Sequence, residues 1–179
     1  MFIIRENTVK MVWGFIVAFA IVVLILSFFY IFPWFFGAPF EATKENKVKN
    51  ILKLARIKKT DKAVDLGSGD GRIVIAMAKR GAEAHGYEIN PILVYLSRRN
   101  IKQAGLQKKA FIHWKSFWNT NLKQYDVIVM FQFYTIMKKL QKKLVKEAKK
   151  SARIVSYYWK FPDWKIAKKI ENIYLYKKK

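Results

Sequence analysis

The sequence predicts an α/β fold, a doubly wound and mostly parallel sheet preceded by one transmembrane helix. Short apolar segments alternate with amphipathic helical segments after residue 43, which is the pattern of successive βαβ units. A glycine-rich turn over residues 67–71 follows the first of these apolar segments, as in the first crossover of nucleotide-binding sheets. No residue between Lys10 and Glu41 is charged, so this part of the chain has the composition of a membrane span.

Composition narrows the class of protein. The chain has 179 residues, of which 53% are hydrophobic, and a formal net charge of +23. Its aromatic and aliphatic content excludes an intrinsically disordered protein. The absence of cysteine excludes disulfide scaffolds and thiolate zinc sites, and two histidines are too few to predict a metal site. We therefore expect a membrane-attached, strongly basic domain without a metal.

The uncharged segment is predicted to form a helix over about residues 11–32. Such a helix is roughly 33 Å long, enough to cross a hydrocarbon core of about 30 Å. Trp13 and Trp34 lie near its two ends, as in interfacial aromatic belts. A cleaved signal peptide is the alternative, but its apolar core would be only about 7–15 residues long. We assign residues 1–36 to a membrane anchor and residues 37–179 to a second domain.

Basic residues on the two sides of the anchor predict its orientation. The N-terminal side offers Arg5 and Lys10, whereas seven Lys and Arg residues lie between residues 44 and 59. The positive-inside rule then places the large domain on the cytoplasmic side of a single-pass membrane protein.

Hydrophobic periodicity and turn residues give the order of elements in the second domain. Thr43 is predicted to cap the first helix, and Pro91 to open the third. The predicted helices cover residues 44–56, 72–80, 91–104 and 136–150, and the predicted strands cover residues 63–66, 83–89, 110–114, 126–131, 153–158 and 173–176.

The glycine-rich turn and the acids around it favour one class of ligand. Its spacing is Gly-x-Gly-x-Gly, which fits neither the dinucleotide fingerprint nor the phosphate loop. Asp65 and Asp70 flank the turn and would repel a pyrophosphate but attract a cation. Glu88 ends the second predicted strand, where an acid can accept hydrogen bonds from ribose hydroxyls. A nucleoside with a cationic tail is S-adenosylmethionine (SAM).

The same residues resemble those of class I, seven-strand SAM-dependent methyltransferases. The chain is most similar to the small protein-lysine methyltransferases that include the membrane-anchored mitochondrial enzymes for the ATP synthase c-subunit and the adenine nucleotide translocase, together with soluble archaeal relatives. The resemblance rests on five segments: Pro39-Phe40-x-x-Thr43, Asp65–Arg72 (DLGSGDGR), Gly86–Pro91 (GYEINP), Asp126–Phe131 (DVIVMF) and Phe161–Trp164 (FPDW). It implies a Rossmann-like methyltransferase domain over residues 37–179 with SAM as cofactor.

The resemblance also implies a cofactor site. Asp65 and the glycines of the turn would hold the methionine part of SAM, and Glu88 the ribose. Ser116 and Phe117 stand where the family usually places an Asp or Asn near the adenine. The complete predicted cofactor site is Asp65, Gly67, Ser68, Gly69, Gly71, Glu88, Ile89, Asn90, Ser116 and Phe117.

The target amine is expected at the carboxyl ends of the strands, next to aromatic side chains that suit an amine through cation–π contacts. The candidates for this substrate pocket are Thr43, Phe131, Gln132, Tyr134 and Tyr157. No general base is assigned, because alignment with an activated methyl donor can supply about 7–11 kcal/mol of the barrier.

The predicted function is the transfer of a methyl group from SAM to a lysine of a protein by an enzyme bound to the lipid bilayer, with membrane proteins among the candidate substrates. Three alternatives stay open: the same catalyst acting on RNA, an enzyme for a lipid or small amine, and a non-catalytic tethered module. The positive charge fits either nucleic acid or an anionic membrane surface, and we favour the membrane.

Overall fold

The computed structural model describes residues 2–36 and 41–178. The chain folds into two units, Met1–Pro39 and Phe40–Lys179. The elements are helices α1 (Phe2–Phe36), α2 (Glu45–Ala55), α3 (Arg72–Lys79), α4 (Pro91–Gln103) and α5 (Met137–Glu147), and strands β1 (Lys62–Leu66), β2 (Glu83–Glu88), β3 (Ala110–Trp114), β4 (Val127–Met130), β5 (Arg153–Tyr157), β6 (Lys168–Ile170) and β7 (Ile173–Lys177).

The N-terminal unit contains α1, which is 35 residues long. Its segment Thr8–Phe28 is long and apolar enough to cross a membrane, and none of that segment is buried within the protein. The helix extends beyond the predicted residues 11–32 at both ends. The apolar run therefore indicated the span but not the helix ends, since polar residues such as Glu6 and Lys10 also form helix readily.

The second unit is built on one seven-stranded sheet in the order β3-β2-β1-β4-β5-β7-β6. Strands β1 to β5 pair in parallel, whereas β7 pairs antiparallel with both β5 and β6. The strand order reverses between β1 and β4, so the carboxyl ends of these two strands form the crevice where open α/β sheets bind ligands. The predicted doubly wound, mostly parallel sheet is confirmed.

Helices cover both faces of the sheet. On one face α2, α3 and α4 pack their apolar stripes against alternate strand residues such as Ala63, Val127 and Val155. On the other face, Leu140 and Leu144 of α5 pack against the strand residues that alternate with these along the chain. This alternation gives strands that are buried on both sides, as expected for a parallel sheet.

Two local predictions were wrong. Thr43 does not cap α2: the N-cap residue is Lys44, and no side chain caps this end. Strand β6 was not predicted, because its sequence, Lys168-Lys169-Ile170, lies at the edge of the sheet and two of its three residues are exposed. An edge strand of this kind lacks the apolar alternation that identifies a strand.

Of the motif Pro39-Phe40-x-x-Thr43, the residues Pro39 and Phe40 lie outside the described residues.

Arg153 joins three parts of the second unit. From β5, its guanidinium donates to the carbonyl oxygens of Ala55 and Arg56 at the end of α2. It also forms an ion pair with Asp61, just before β1. Both side chains of this pair are largely buried, with 16% and 6% of their surface exposed. The contact thus fixes the C-terminal end of α2 against the sheet.

We expect Arg153→Met to lower the free energy of unfolding by about 3 kcal/mol, because it leaves the buried Asp61 without its counter-charge. The matched control is Lys49→Met, which removes the highly exposed pair with Glu45 and should leave the free energy of unfolding nearly unchanged. Chemical unfolding of both variants in detergent micelles measures the difference. Equal losses in the two variants would contradict a structural role for the Arg153 contact.

Candidate active site

The glycine-rich turn begins where β1 ends. The backbone N–H groups of Gly67 and Ser68 both donate to the carbonyl oxygen of Tyr87, at 2.9 and 3.0 Å. Gly67 has a φ of +82°, a conformation that side chains with a Cβ rarely adopt. The turn is therefore bound to the end of β2 and leads directly into α3, as the sequence predicted.

The Glu88 carboxylate is the main link between the turn and β2. One oxygen accepts a hydrogen bond from the N–H of Gly69 at 2.9 Å. The other accepts from the N–H groups of Ile89 and Asn90, each at 2.8 Å. Glu88 is buried, and its position at the carboxyl end of β2 is the one from which an acid would reach ribose hydroxyls.

Asp65 is a buried carboxylic acid without a partner. Only 2% of the residue is exposed, and among the described residues none forms a hydrogen bond or ion pair with its carboxylate. Burial raises the pKa of Asp65 well above its usual value, and the nearby Glu88 and Asp70 carboxylates raise that pKa further. A cation bound beside Asp65 would remove this penalty on the ionised form.

Asp70 differs from Asp65, because Arg72 neutralises it. The Arg72 guanidinium contacts the Asp70 carboxylate through Nε and Nη2 at 2.6 to 3.1 Å. The sequence argument that both acids attract a cation therefore applies to Asp65 but only weakly to Asp70. The basic residue two positions after Asp70 was the available signal for this pairing.

The remaining predicted cofactor residues lie at the carboxyl ends of β2 and β3. Asn90 caps α4, with its side-chain oxygen accepting from the N–H groups of Ile92 and Leu93. Ser116 caps a short 3-10 helix that begins at Phe117, whose ring is buried. Sequence reasoning overlooked Trp114, the last residue of β3, which is 64% exposed and donates to the carbonyl oxygen of Ile89.

The structure groups aromatic side chains at the ends of β4 and β5. We call Phe131, Tyr134, Tyr157, Tyr158 and Trp159 the aromatic cluster. The rings of Phe131 and Tyr157 are 4.6 Å apart, and those of Tyr134 and Trp159 are 5.4 Å apart.

Two members of the aromatic cluster are unusually exposed or strained. Tyr134 and Tyr158 are 67% and 52% exposed, so their rings are accessible to a partner molecule. Tyr158 also has a φ of +72°, a conformation that costs about 1–3 kcal/mol and is enriched at functional sites, although it also occurs at the C-terminal end of α2, in Arg56. Its backbone is held there by a 2.8 Å hydrogen bond to the carbonyl oxygen of Asn172.

The last two substrate-pocket candidates lie closer to the glycine-rich turn. The Thr43 carbonyl oxygen accepts a hydrogen bond from Arg72, at 2.8 Å. The side chain of Gln132 donates to the carbonyl oxygen of Leu66, at 2.6 Å. Neither residue belongs to the aromatic cluster, so the predicted substrate pocket is divided between two places.

The residues at the crevice fit a nucleoside with a cationic tail. Asp65 supplies an unpaired carboxylate, and Glu88 a carboxylate at the neighbouring strand end. Within the described residues, four buried side-chain atoms have no hydrogen-bond partner, and two of these four, Oγ of Ser68 and Oε1 of Gln132, belong to predicted site residues. Buried polar atoms are nearly always paired in proteins, so these groups are suited to bind a ligand with hydrogen-bond donors and positive charge.

Comparison with known proteins decides the family. The family model of the ANTKMT methyltransferase domain matches residues 65–168. The chain belongs to the ANTKMT methyltransferase family. The matched range includes the glycine-rich turn, Glu88, Gln132 and the aromatic cluster.

Named relatives and a solved structure match 70% to 77% of this chain. The human lysine N-methyltransferase of the ATP synthase c-subunit is 38% identical over 126 residues, 70% of this chain and 54% of that protein. The Saccharolobus islandicus protein-lysine N-methyltransferase is 33% identical over 128 residues, 70% of this chain and 80% of that protein. The structure of a Salinibacter ruber RNA methyltransferase bound to S-adenosyl-L-homocysteine has a TM-score of 0.72 and 29% identity, covering 77% of this chain and 92% of that one.

These relationships confirm the predicted Rossmann-like methyltransferase fold and the predicted cofactor, SAM. The chain spans about half the length of most of the curated relatives it matches. The residues that contact SAM stay a prediction, which the following two experiments test.

We expect Asp65→Asn to weaken SAM binding about tenfold or more, because the variant loses a charge-assisted contact.

The same variant should raise the unfolding temperature of the ligand-free protein. The folded state raises the pKa of Asp65, so ionising Asp65 costs stability as pH rises above its ordinary value, and asparagine removes that cost. Calorimetry and thermal unfolding over a pH series measure both effects. SAM affinity should rise with pH in the unmodified protein and change less in the variant, and identical pH profiles would contradict the assignment.

We expect Glu88→Ala to weaken the binding of SAM and of 5′-methylthioadenosine by the same factor, about tenfold or more. Methylthioadenosine keeps the nucleoside but lacks the amino-acid part of SAM, so it reports on the ribose contact. The variant should also lose about 2 kcal/mol of stability, since three backbone N–H groups lose their acceptor. Isothermal titration calorimetry measures both affinities, and unchanged values for both ligands would rule out Glu88 as the ribose ligand.

Proposed function

We propose that this protein is a membrane-anchored methyltransferase that transfers a methyl group from SAM to a lysine ε-amine of a protein. The observation that carries the proposal is the aromatic cluster next to the acidic crevice, in a chain of the ANTKMT methyltransferase family. Several members of that family are named protein-lysine N-methyltransferases. Two of those names specify the protein substrate, the ATP synthase c-subunit in one and the adenine nucleotide translocase in the other.

The residues of this chain would act mainly by binding and alignment. When bound, SAM supplies a methyl group that is already activated on a sulfonium. Asp65, the glycine-rich turn and Glu88 would hold the donor, and correct alignment of two reactants can contribute about 7–11 kcal/mol. No separate general base is needed if the amine enters in its neutral form.

The aromatic cluster would bind the target lysine and favour its neutral amine. Aromatic faces attract an ammonium group through cation–π contacts. A lysine in water has a pKa near 10.4, and transfer of its amine from water into apolar surroundings lowers that pKa. Phe131 and Tyr157 are half-buried and suit this inner position, while the exposed Tyr134 and Tyr158 suit the entrance.

The anchor and the charge distribution support a membrane location. We propose that Thr8–Phe28 spans the bilayer and that the large domain faces the cytoplasm, as the positive-inside rule predicts. Exposed lysines occupy the outer side of α5 and the residues after it, and each basic residue near anionic lipid contributes about 1 kcal/mol. These exposed residues are Lys138, Lys139, Lys142, Lys146 and Lys150.

RNA methylation is the second candidate function. It is favoured by the net charge of +23 and by the similarity to the Salinibacter ruber RNA methyltransferase. Aromatic rings could also stack on RNA bases, so the aromatic cluster does not separate the two candidates. We prefer the protein substrate because several similar proteins are named lysine N-methyltransferases. RNA binding would in addition be strongly salt-dependent.

Methyl-labelled SAM distinguishes the candidates. The full-length protein is incubated with labelled SAM and membranes from the source organism, and the label is followed into protein, RNA and lipid fractions. We expect it in protein, recovered as methyllysine after hydrolysis.

The control variant is Gly69→Val, which places a branched side chain at a φ of +53° and should abolish incorporation. Label in RNA that is removed by nuclease would establish the second candidate, and label in lipid would contradict both. SAM binding without transfer to any fraction would support a non-catalytic module.

A further inference from the structure

Gln132 has a buried side chain whose nitrogen is paired and whose oxygen is not. The residue is 3% exposed, and its Nε2 donates to the carbonyl oxygen of Leu66 at 2.6 Å. Its Oε1 is buried without a hydrogen-bond partner within the described residues. An unpaired buried acceptor costs about 1–3 kcal/mol. The bond from Nε2 fixes the orientation of the amide, so Oε1 is held in place before any ligand binds.

The Gln132 amide lies against the glycine-rich turn rather than in the aromatic cluster. A Cβ at Gly67 would collide with Nε2 of Gln132 and would be 4.0 Å from its Oε1. Gly67 is therefore required by this contact as well as by its positive φ. Leu66, which accepts from Nε2, directly follows Asp65 in β1. The unpaired amide oxygen of Gln132 and the unpaired carboxylate of Asp65 thus both lie near the carboxyl end of β1.

The chemistry of these two acceptors selects the ligand group. An amide oxygen and a carboxylate both require a donor, and the carboxylate also favours positive charge. The α-ammonium of SAM has three N–H donors and a positive charge. The sulfonium has no N–H or O–H, and the carboxylate of SAM would be repelled. The ribose hydroxyls are predicted to lie at Glu88, and the uncharged adenine amine near Ser116 and Phe117.

We infer that Oε1 of Gln132 accepts a hydrogen bond from the α-ammonium of SAM, so that Gln132 positions the cofactor. This differs from its predicted place in the pocket for the target amine. The inference rests on SAM binding at the glycine-rich turn, and it is independent of which molecule receives the methyl group.

The test compares SAM with 5′-methylthioadenosine, which lacks the amino-acid part, by titration calorimetry on the full-length protein in detergent micelles. Gln132→Met keeps the size of the side chain but removes its oxygen. We expect this variant to bind SAM about tenfold or more weakly and to bind methylthioadenosine within about twofold of the unmodified protein.

The matched control is Gln141→Met on α5, where the glutamine oxygen accepts from the N–H of Asp163, far along the chain from the glycine-rich turn. This control should leave both affinities unchanged. If Gln132→Met weakens both ligands equally, Gln132 only supports the turn through Leu66 and the inference is wrong. If neither affinity changes, the inference is also wrong. Failure of the unmodified protein to bind SAM would instead contradict the proposed function.

Gln132→Glu keeps the test decisive if the methionine variant does not fold. Glutamate also lacks the N–H that Leu66 accepts, but it retains an oxygen with a negative charge. The ratio of SAM affinity to methylthioadenosine affinity should then rise above that of the unmodified protein. A ratio that stays equal or falls would overturn the inference.

Discussion

The active-site crevice depends on one buried carboxylate. Glu88 accepts hydrogen bonds from Gly69, Ile89 and Asn90 and so holds the glycine-rich turn, the end of β2 and the start of α4 in one arrangement. An ionised carboxylate offers about four acceptor positions, and three are already used by the protein. The predicted ribose binding at Glu88 would therefore use the fourth position or replace one of the backbone contacts. The turn and the predicted nucleoside site would in this way be coupled through a single side chain.

The crevice has the opposite charge to the rest of the protein. The chain carries a net charge of +23, yet Asp65 and Glu88 lie buried close to each other at neighbouring strand ends. Most other acids in the described chain are paired, as Asp61 is with Arg153 and Asp70 with Arg72. Buried carboxylates without a counter-charge therefore lie where a cationic donor is predicted to bind. The buried acids of the crevice therefore indicate a cationic ligand more specifically than the net positive charge of the chain indicates a partner.

Sequence reasoning identified the parts of the fold that have strong patterns. Buried strands such as β1 and β4 were predicted within about a residue, because apolar runs and turn residues specify them. Strand β6 was missed because edge pairing leaves no apolar pattern. In the site, the positions of Asp65 and Glu88 followed from the spacing. The pairing of Asp70 with Arg72 and the contact of Gln132 with Leu66 did not, since they depend on side-chain directions and on residues 66 positions apart.

The unpaired groups and the acidic charge of the crevice would have different effects on ligand binding. Asp65, with its raised pKa, and the unpaired Gln132 oxygen reduce the stability of the ligand-free protein, and a ligand that pairs them recovers that stability. The ammonium end is the same in SAM and in the product S-adenosylhomocysteine, so contacts there cannot discriminate between the two. The sulfur loses its positive charge on transfer, and the attraction from nearby carboxylates falls with it. An acidic crevice would thus favour SAM over its product, while the predicted ammonium contacts would serve both equally.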